Sequence, residues 1–241
     1  MRVSINMVRA WLLAAMVMLL PVAAIWLAIN IMPRAHYSID ERLVEFGDAA
    51  RSRLLAHFLR AGVAYPPAKV VLVGLKAERQ LQLYAAGQNG RLRFVRAYPV
   101  LAAAGGPGPK LREGDRQVPE GLYPIRYLNP NSAAYVSLMI GYPNRFDRAR
   151  AREEGRRSLG GQIVIHGPTT GTAGCLAMRA PVVEELFTLA ADAGVNNTRI
   201  VLSPRDFRRS KEPAAVMRSP WNRALYARIA GQLAKLPRPD G

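Results

Sequence analysis

The chain reads as a mainly β domain with a few helices, behind one N-terminal transmembrane helix. Three observations predict this. Between Lys69 and Ser203, short apolar or alternating runs recur at strand length, separated by turn residues. Ala10 to Met32 is an uncharged run of 23 residues. The single cysteine, Cys175, follows one of the strand runs through a loop of Gly, Pro and Thr. One thiol excludes an internal disulfide, and three His with one Cys leave little from which to build a zinc site.

The run at 10–32 is long enough to cross a hydrocarbon core about 30 Å thick. A cleaved signal peptide is the competing reading. Its apolar region is shorter and ends in small residues, whereas Trp26, Leu27, Ile29, Ile31 and Met32 fill this end. Arg2 and Arg9 precede the run without an acid, which predicts a cytoplasmic N-terminus over residues 1–9. The expectation is a single-pass protein of the inner (cytoplasmic) membrane with the domain that follows the span in the periplasm. Net charge is +17, and removing Arg2 and Arg9 leaves +15 for that part. Such a charge ordinarily suggests nucleic acid, which an exported domain would not meet. Lipid headgroups, acidic wall polymer or plain solubility are the alternatives.

Residues 33–68 read as a helical linker. Ser38-Ile39-Asp40-Glu41 is a capping box, and Leu43, Val44, Leu54, Leu55, Phe58 and Leu59 recur at near-helical spacing up to Gly62. The strand domain spans 69–203. Val70 to Val73 is its first run, and Gln80 to Ala85 alternates. Gly87-Gln88-Asn89-Gly90 has hairpin chemistry, after which Leu92 and Phe94 resume the alternation. Ala102 to Pro109 is expected as a loop. Leu122 to Tyr127, Tyr135 to Ile140, Gln162 to His166 and Arg199 to Leu202 are further strands. The arginine-rich stretch 145–157 reads as a short helix or a mobile cover, and 181–193 as a helix. Residues 204–241 form a basic tail. Ser219-Pro220 opens a helix there with Trp221, Leu225, Ile229 and Leu233 in one stripe, to pack on the domain or lie on a membrane.

The chemistry concentrates in Ile165-His166-Gly167-Pro168-Thr169-Thr170-Gly171-Thr172-Ala173-Gly174-Cys175. A cysteine attacks a carbonyl as a thiolate, and an imidazole can take its proton. Cys175 is the candidate nucleophile and His166 the base. No acid lies between Gly155 and Arg179, so a backbone carbonyl must orient the histidine, and Gly167 is the candidate. The Cys175 N–H and a loop amide near Gly174 are the candidate oxyanion donors. Thr172 caps the turn, Tyr142 lines the cleft or packs, and Arg179 lies near enough to touch substrate. Glu113, Asp115 and Glu120 read as turn and surface charge.

These residues resemble the YkuD-type L,D-transpeptidase catalytic domain over about 69–203. In that family a His-Gly pair ends a strand and Ser/Thr-x-Gly-Cys follows, here His166-Gly167 and Thr172-Ala173-Gly174-Cys175. Gly114-Asp115 through Pro119-Glu120-Gly121-Leu122-Tyr123 is similar to the family's Gly-Asp…Thr-Pro-x-Gly-x-Tyr segment. Ile140-Gly141-Tyr142-Pro143-Asn144 with Gly160-Gly161-Gln162-Ile163-Val164-Ile165-His166-Gly167 resembles its YafK-like branch. The commoner branch carries a second histidine where Ala173 stands, an Arg or Asn where Ala177 stands, and a longer segment than the five residues between His166 and Thr172.

The resemblance implies a β-sandwich-like fold with a helix after the nucleophile. It implies acyl transfer on peptidoglycan stem peptides through a thioester at Cys175, with no metal or cofactor. Amine resolution gives crosslinks and water gives cleavage, which in the YafK-like branch includes release of a lipoprotein tethered to the wall. The alternative is a catalytically silent wall-binding module with a basic surface.

Overall fold

The computed structural model describes residues 36–169, 171–210 and 220–239. Ser38 opens the first helical run, its hydroxyl accepting from the Glu41 N–H while the Glu41 carboxylate accepts from the Ser38 N–H. The run comprises α1 (Ile39–Arg42), a π-helical turn (Leu43–Gly47) and α2 (Asp48–Ala61). Gly62, at φ +63°, ends it in the left-handed cap that glycine adopts without penalty. Phe46, Ala50, Leu54 and Phe58 form its buried stripe.

Among the described residues nine strands follow: β1 (Lys69–Leu75), β2 (Gln80–Ala86), β3 (Arg93–Pro99), β4 (Ala102–Ala103), β5 (Gly121–Ser132), β6 (Tyr135–Ile140), β7 (Val164–His166), β8 (Leu176–Ala177) and β9 (Thr198–Ser203). Helix α3 (Arg145–Glu153) follows β6, α4 (Ala180–Ala193) follows β8, and α5 (Pro220–Leu233) closes the described chain. The strand order is β3-β2-β1-β9-β5-β6-β7-β8-β4.

The sandwich-like expectation is corrected to one curled sheet. Its cause is β5, which pairs with β9 over Gly121–Pro124 and with β6 from Ile125 onward. One long strand therefore belongs to both ladders and joins them. The register shifts between Ile125 and Leu128, an irregularity of the kind that bends a strand. The domain is mainly β, as expected. The Ala102–Pro109 loop is also corrected at its start, because Ala102–Ala103 pairs with β8.

The expected N-terminal transmembrane helix and the single-pass inner-membrane location are withdrawn. Among the described residues no helix is long and apolar enough to cross a membrane. The run over 39–61 has the length, but Asp40, Glu41, Arg42, Glu45, Asp48, Arg51, Arg53 and Arg60 recur along it, and hydrocarbon disfavours such charges. The segment read as the span, 10–32, lies outside the described residues, as does the expected cap Ser219.

Strand β1 is buried on both faces after Lys69. Val70 and Leu72 join the main core with Leu54, Phe58 and Phe187, so α2 and α4 cover that side. Val71, Val73 and Leu75 meet Leu225, Tyr226, Ile229 and Leu233 of α5 on the other. The C-terminal helix therefore packs on the domain by the stripe its sequence predicts. Asn144 caps α3 in a second capping box with Asp147, which settles the arginine-rich stretch as a helix.

Candidate active site

Strand β7 delivers His166 and the parallel strand β8 begins one residue after Cys175. Ile165 pairs with Leu176 and His166 with Ala177. Continuing that register one residue back sets Cys175 beside Val164. Cys175 therefore lies beside β7, whose last residue is His166. The short separation between them is thus the loop of a β–loop–β crossover, with His166 at the C-terminal end of β7 and Cys175 just before the N-terminal end of β8.

His166 is buried, and its Nδ1 lies 2.7 Å from the Gly167 carbonyl oxygen. A carbonyl only accepts, so Nδ1 carries the proton and Nε2 keeps its lone pair. Burial pushes the His166 imidazole below its ordinary 6.5, with the Gly167 hydrogen bond opposing. The shift favours the neutral ring. Its contribution to stability is present above 6.5 and is lost as pH falls through the folded value. An NMR titration of His166 is expected to give a midpoint below that of an unfolded peptide; a midpoint at or above 6.5 refutes it.

Gly167 is fixed by close approach. Its N–H donates to the Ala134 carbonyl at 3.0 Å, and a Cβ there would sit 2.5 Å from the same oxygen. The β5–β6 turn thus grips the residue that orients the histidine. Gly174 is buried, with φ +114°, and a Cβ there would lie 2.6 Å from the Gln117 carbonyl oxygen. Only glycine combines that backbone with that contact.

The half-buried Cys175 thiol points to the backbone of the strand that ends in His166. Its Sγ lies 3.4 Å from the Val164 nitrogen, which donates to it, and 3.6 Å from the Gln162 carbonyl. Among the described residues no hydrogen bond joins the thiol to the imidazole. The Cys175 N–H, expected as an oxyanion donor, already donates to Thr172 Oγ1 at 2.9 Å. Thr172→Val removes that acceptor at constant shape. We expect a loss of about 1 kcal/mol, or roughly 2–4 °C in Tm, checked by thermal unfolding.

The other predicted positions divide. Arg179 is exposed at the N-cap of α4, four residues after Cys175. Tyr142 is not brought to the cysteine by any contact. It is buried, its hydroxyl bonds the carbonyls of Lys110 and Leu159, and its ring packs edge-on against Tyr123. Asp115 is a turn residue, accepting from the N–H groups of Leu111, Arg112 and Gln117 and from Lys110.

Glu120 is the surprise, being fully buried and ion-paired to Lys76 at 2.9 Å. Sequence reasoning missed Lys76, Gln117 and the buried role of Glu120. The only signal was weak: Lys76 follows one apolar run and Glu120 precedes another. Their meeting needs β9 inserted between β1 and β5, which sequence order does not show.

With the fold and site in view, the family model of the YkuD L,D-transpeptidase catalytic domain matches residues 68–202, and the chain belongs to that family. It is 35% identical over 120 residues to the Escherichia coli (strain K12) protein described as "Putative L,D-transpeptidase YafK". That alignment covers 49% of this chain and 46% of the relative, so the chain spans about half the length of the curated relatives it matches. Among solved structures it is similar to the helical cell shape determining protein Pgp2 from Campylobacter jejuni, at 22% identity and a TM-score of 0.49, covering 61% of this chain and 50% of that one. L,D-transpeptidase 1 of Mycobacterium tuberculosis is more distant, at 12% identity and a TM-score of 0.32, covering 56% and 62%.

Proposed function

We propose that the chain carries out cysteine-dependent acyl transfer on peptidoglycan stem peptides. The observation that carries this reading is the Cys175 thiol, held against the backbone of the strand that ends in His166, a histidine whose tautomer the Gly167 carbonyl selects. The family membership supports it.

The chemistry balances on these groups alone. The thiol turns from the Gln162 carbonyl toward His166, and Nε2 takes its proton. The thiolate adds to the peptide carbonyl carbon, leaving negative charge on the carbonyl oxygen. That oxyanion competes with Thr172 Oγ1 for the Cys175 N–H, and the amide at Gly174 is the second donor. The C–N bond then breaks as the histidine returns its proton to the leaving nitrogen, and a thioester remains on Cys175. An amine or water adds to the thioester, gives a proton to Nε2 and expels the thiolate. Amine resolution makes a crosslink, and water makes a cut. The hydrolytic branch extends to release of a lipoprotein attached through lysine to diaminopimelate. Arg179 offers an exposed cation to a peptide carboxylate.

Incubating the protein with defined sacculi and weighing the released muropeptides tests the reading. New diaminopimelate–diaminopimelate bonds mean transpeptidation, and shortened stems or freed lipoprotein mean hydrolysis. Unchanged sacculi refute it and favour a wall-binding module instead.

A further inference from the structure

The reactive loop does not support itself. Gly174 lies against the Gln117 carbonyl so closely that a Cβ on Gly174 would meet that oxygen at 2.6 Å. Whatever fixes Gln117 therefore fixes the floor under Cys175. Gln117 sits in an irregular stretch between β4 and β5, with no ladder to hold it.

Asp115 accepts its N–H at 3.1 Å, and a buried ammonium holds its side chain. Lys76 Nζ donates its three N–H groups to the Gly108 carbonyl (2.9 Å), the Val118 carbonyl (3.0 Å) and Glu120 Oε1 (2.9 Å), with Gln117 Oε1 at 3.3 Å sharing one of them. Glu120 Oε1 also accepts from the Gly108 N–H at 2.9 Å. A single pair thus gathers both ends of the 104–120 stretch. Lys76 and Glu120 meet because β1 ends and β5 begins at the same end of β9, where Gly74 and Gly121 both pair with Leu202. Burial lowers the Lys76 ammonium from its ordinary value, and Glu120 opposes that shift.

The pair reaches beyond the family domain. Glu120 Oε2 accepts from the Tyr226 hydroxyl at 2.8 Å, and Tyr226 lies on α5, past residue 202 where the family match ends. Its ring is wholly buried in the second core, edge-on to Phe207 at 5.7 Å. The C-terminal helix is therefore wired to the site by one continuous chain: Tyr226, Glu120, Lys76, Gln117, Gly174.

We infer that Lys76, Glu120 and Tyr226 are positioning residues, which clamp Gln117 against Gly174 and thereby set the loop that carries Cys175. This rests on the reading of Cys175 as the reacting group, but its test needs no turnover. Hydrogen exchange read by mass spectrometry on the full chain compares Tyr226→Phe and Lys76→Met with the parent protein. Three peptides decide: the stretch 104–120, the loop 171–178 and helix α4 as an internal reference. Exchange in 104–120 and in 171–178 is expected to quicken about fivefold or more in Tyr226→Phe, and further in Lys76→Met, with α4 unchanged. Faster exchange in 104–120 alone overturns the inference, since the pair then organises only its own stretch. Equal acceleration in α4 also overturns it, because the effect is then a global loss of stability. Unaltered exchange everywhere overturns it as well. Should Lys76→Met fail to fold, Tyr226→Phe decides alone, since it removes one hydroxyl and keeps the packed ring. Failure of the sacculus assay with a positive exchange result rejects the acyl-transfer chemistry and keeps the clamp.

Discussion

Cys175→Ala is expected to lower conversion of muropeptides by about 10⁴-fold or more, because no other thiol exists to replace it. The prediction is clean because Cys175 is half-buried and, among the described residues, its thiol makes two long backbone hydrogen bonds. Removing one sulfur from such a place leaves the fold nearly intact, so Tm is expected to stay within a few degrees. Mass analysis of digested sacculi, run beside a thermal melt, checks both halves. Native-rate conversion by the alanine variant sinks the mechanism. His166→Gln is the companion, since it keeps a polar side chain and loses the base. Its loss of rate must be of comparable size, because the two groups act as a unit.

Gly174→Ala is expected to have the largest effect on stability. The methyl meets two penalties at once. At φ +114° a side chain is strained, and the Gln117 carbonyl stands 2.6 Å from the new atom. The obstacle is backbone, which cannot swing aside. Strain and overpacking together predict a loss of about 3 kcal/mol, or roughly 6–12 °C in Tm for a domain of this size. Thermal and urea unfolding measure it. A variant within about 1 kcal/mol of the parent would show that Gln117 moves freely, and would weaken the clamp argued above.

Legibility in the sequence tracks the range of the interactions. The capping box at Ser38, the Gly62 stop and the stripe of α5 are local, and each lies where the sequence predicts. β4 was read as loop because two alanines among glycines and prolines carry no period. The sandwich reading failed at β5, whose two ladders depend on partners some 80 residues downstream at one end and on β6 just after it at the other. Tyr142 meets Lys110, Leu159 and Tyr123, partners distant in sequence that no local period foretells.

Within the site the division is the same. The spacing of His166, Gly167, Gly174 and Cys175, and the family they point to, are properties of one contiguous segment, so the primary structure holds them. It also holds the lone thiol, with the exclusion of an internal disulfide that follows. What the tertiary structure alone decides is how that segment is supported. Glu120 looked like a surface acid beside a turn, yet it is the buried centre of a lysine–carboxylate–tyrosine hub. The physical reason is topological. A buried charge needs a partner, and its partners come from β1 and α5, brought together only when β9 slides between β1 and β5.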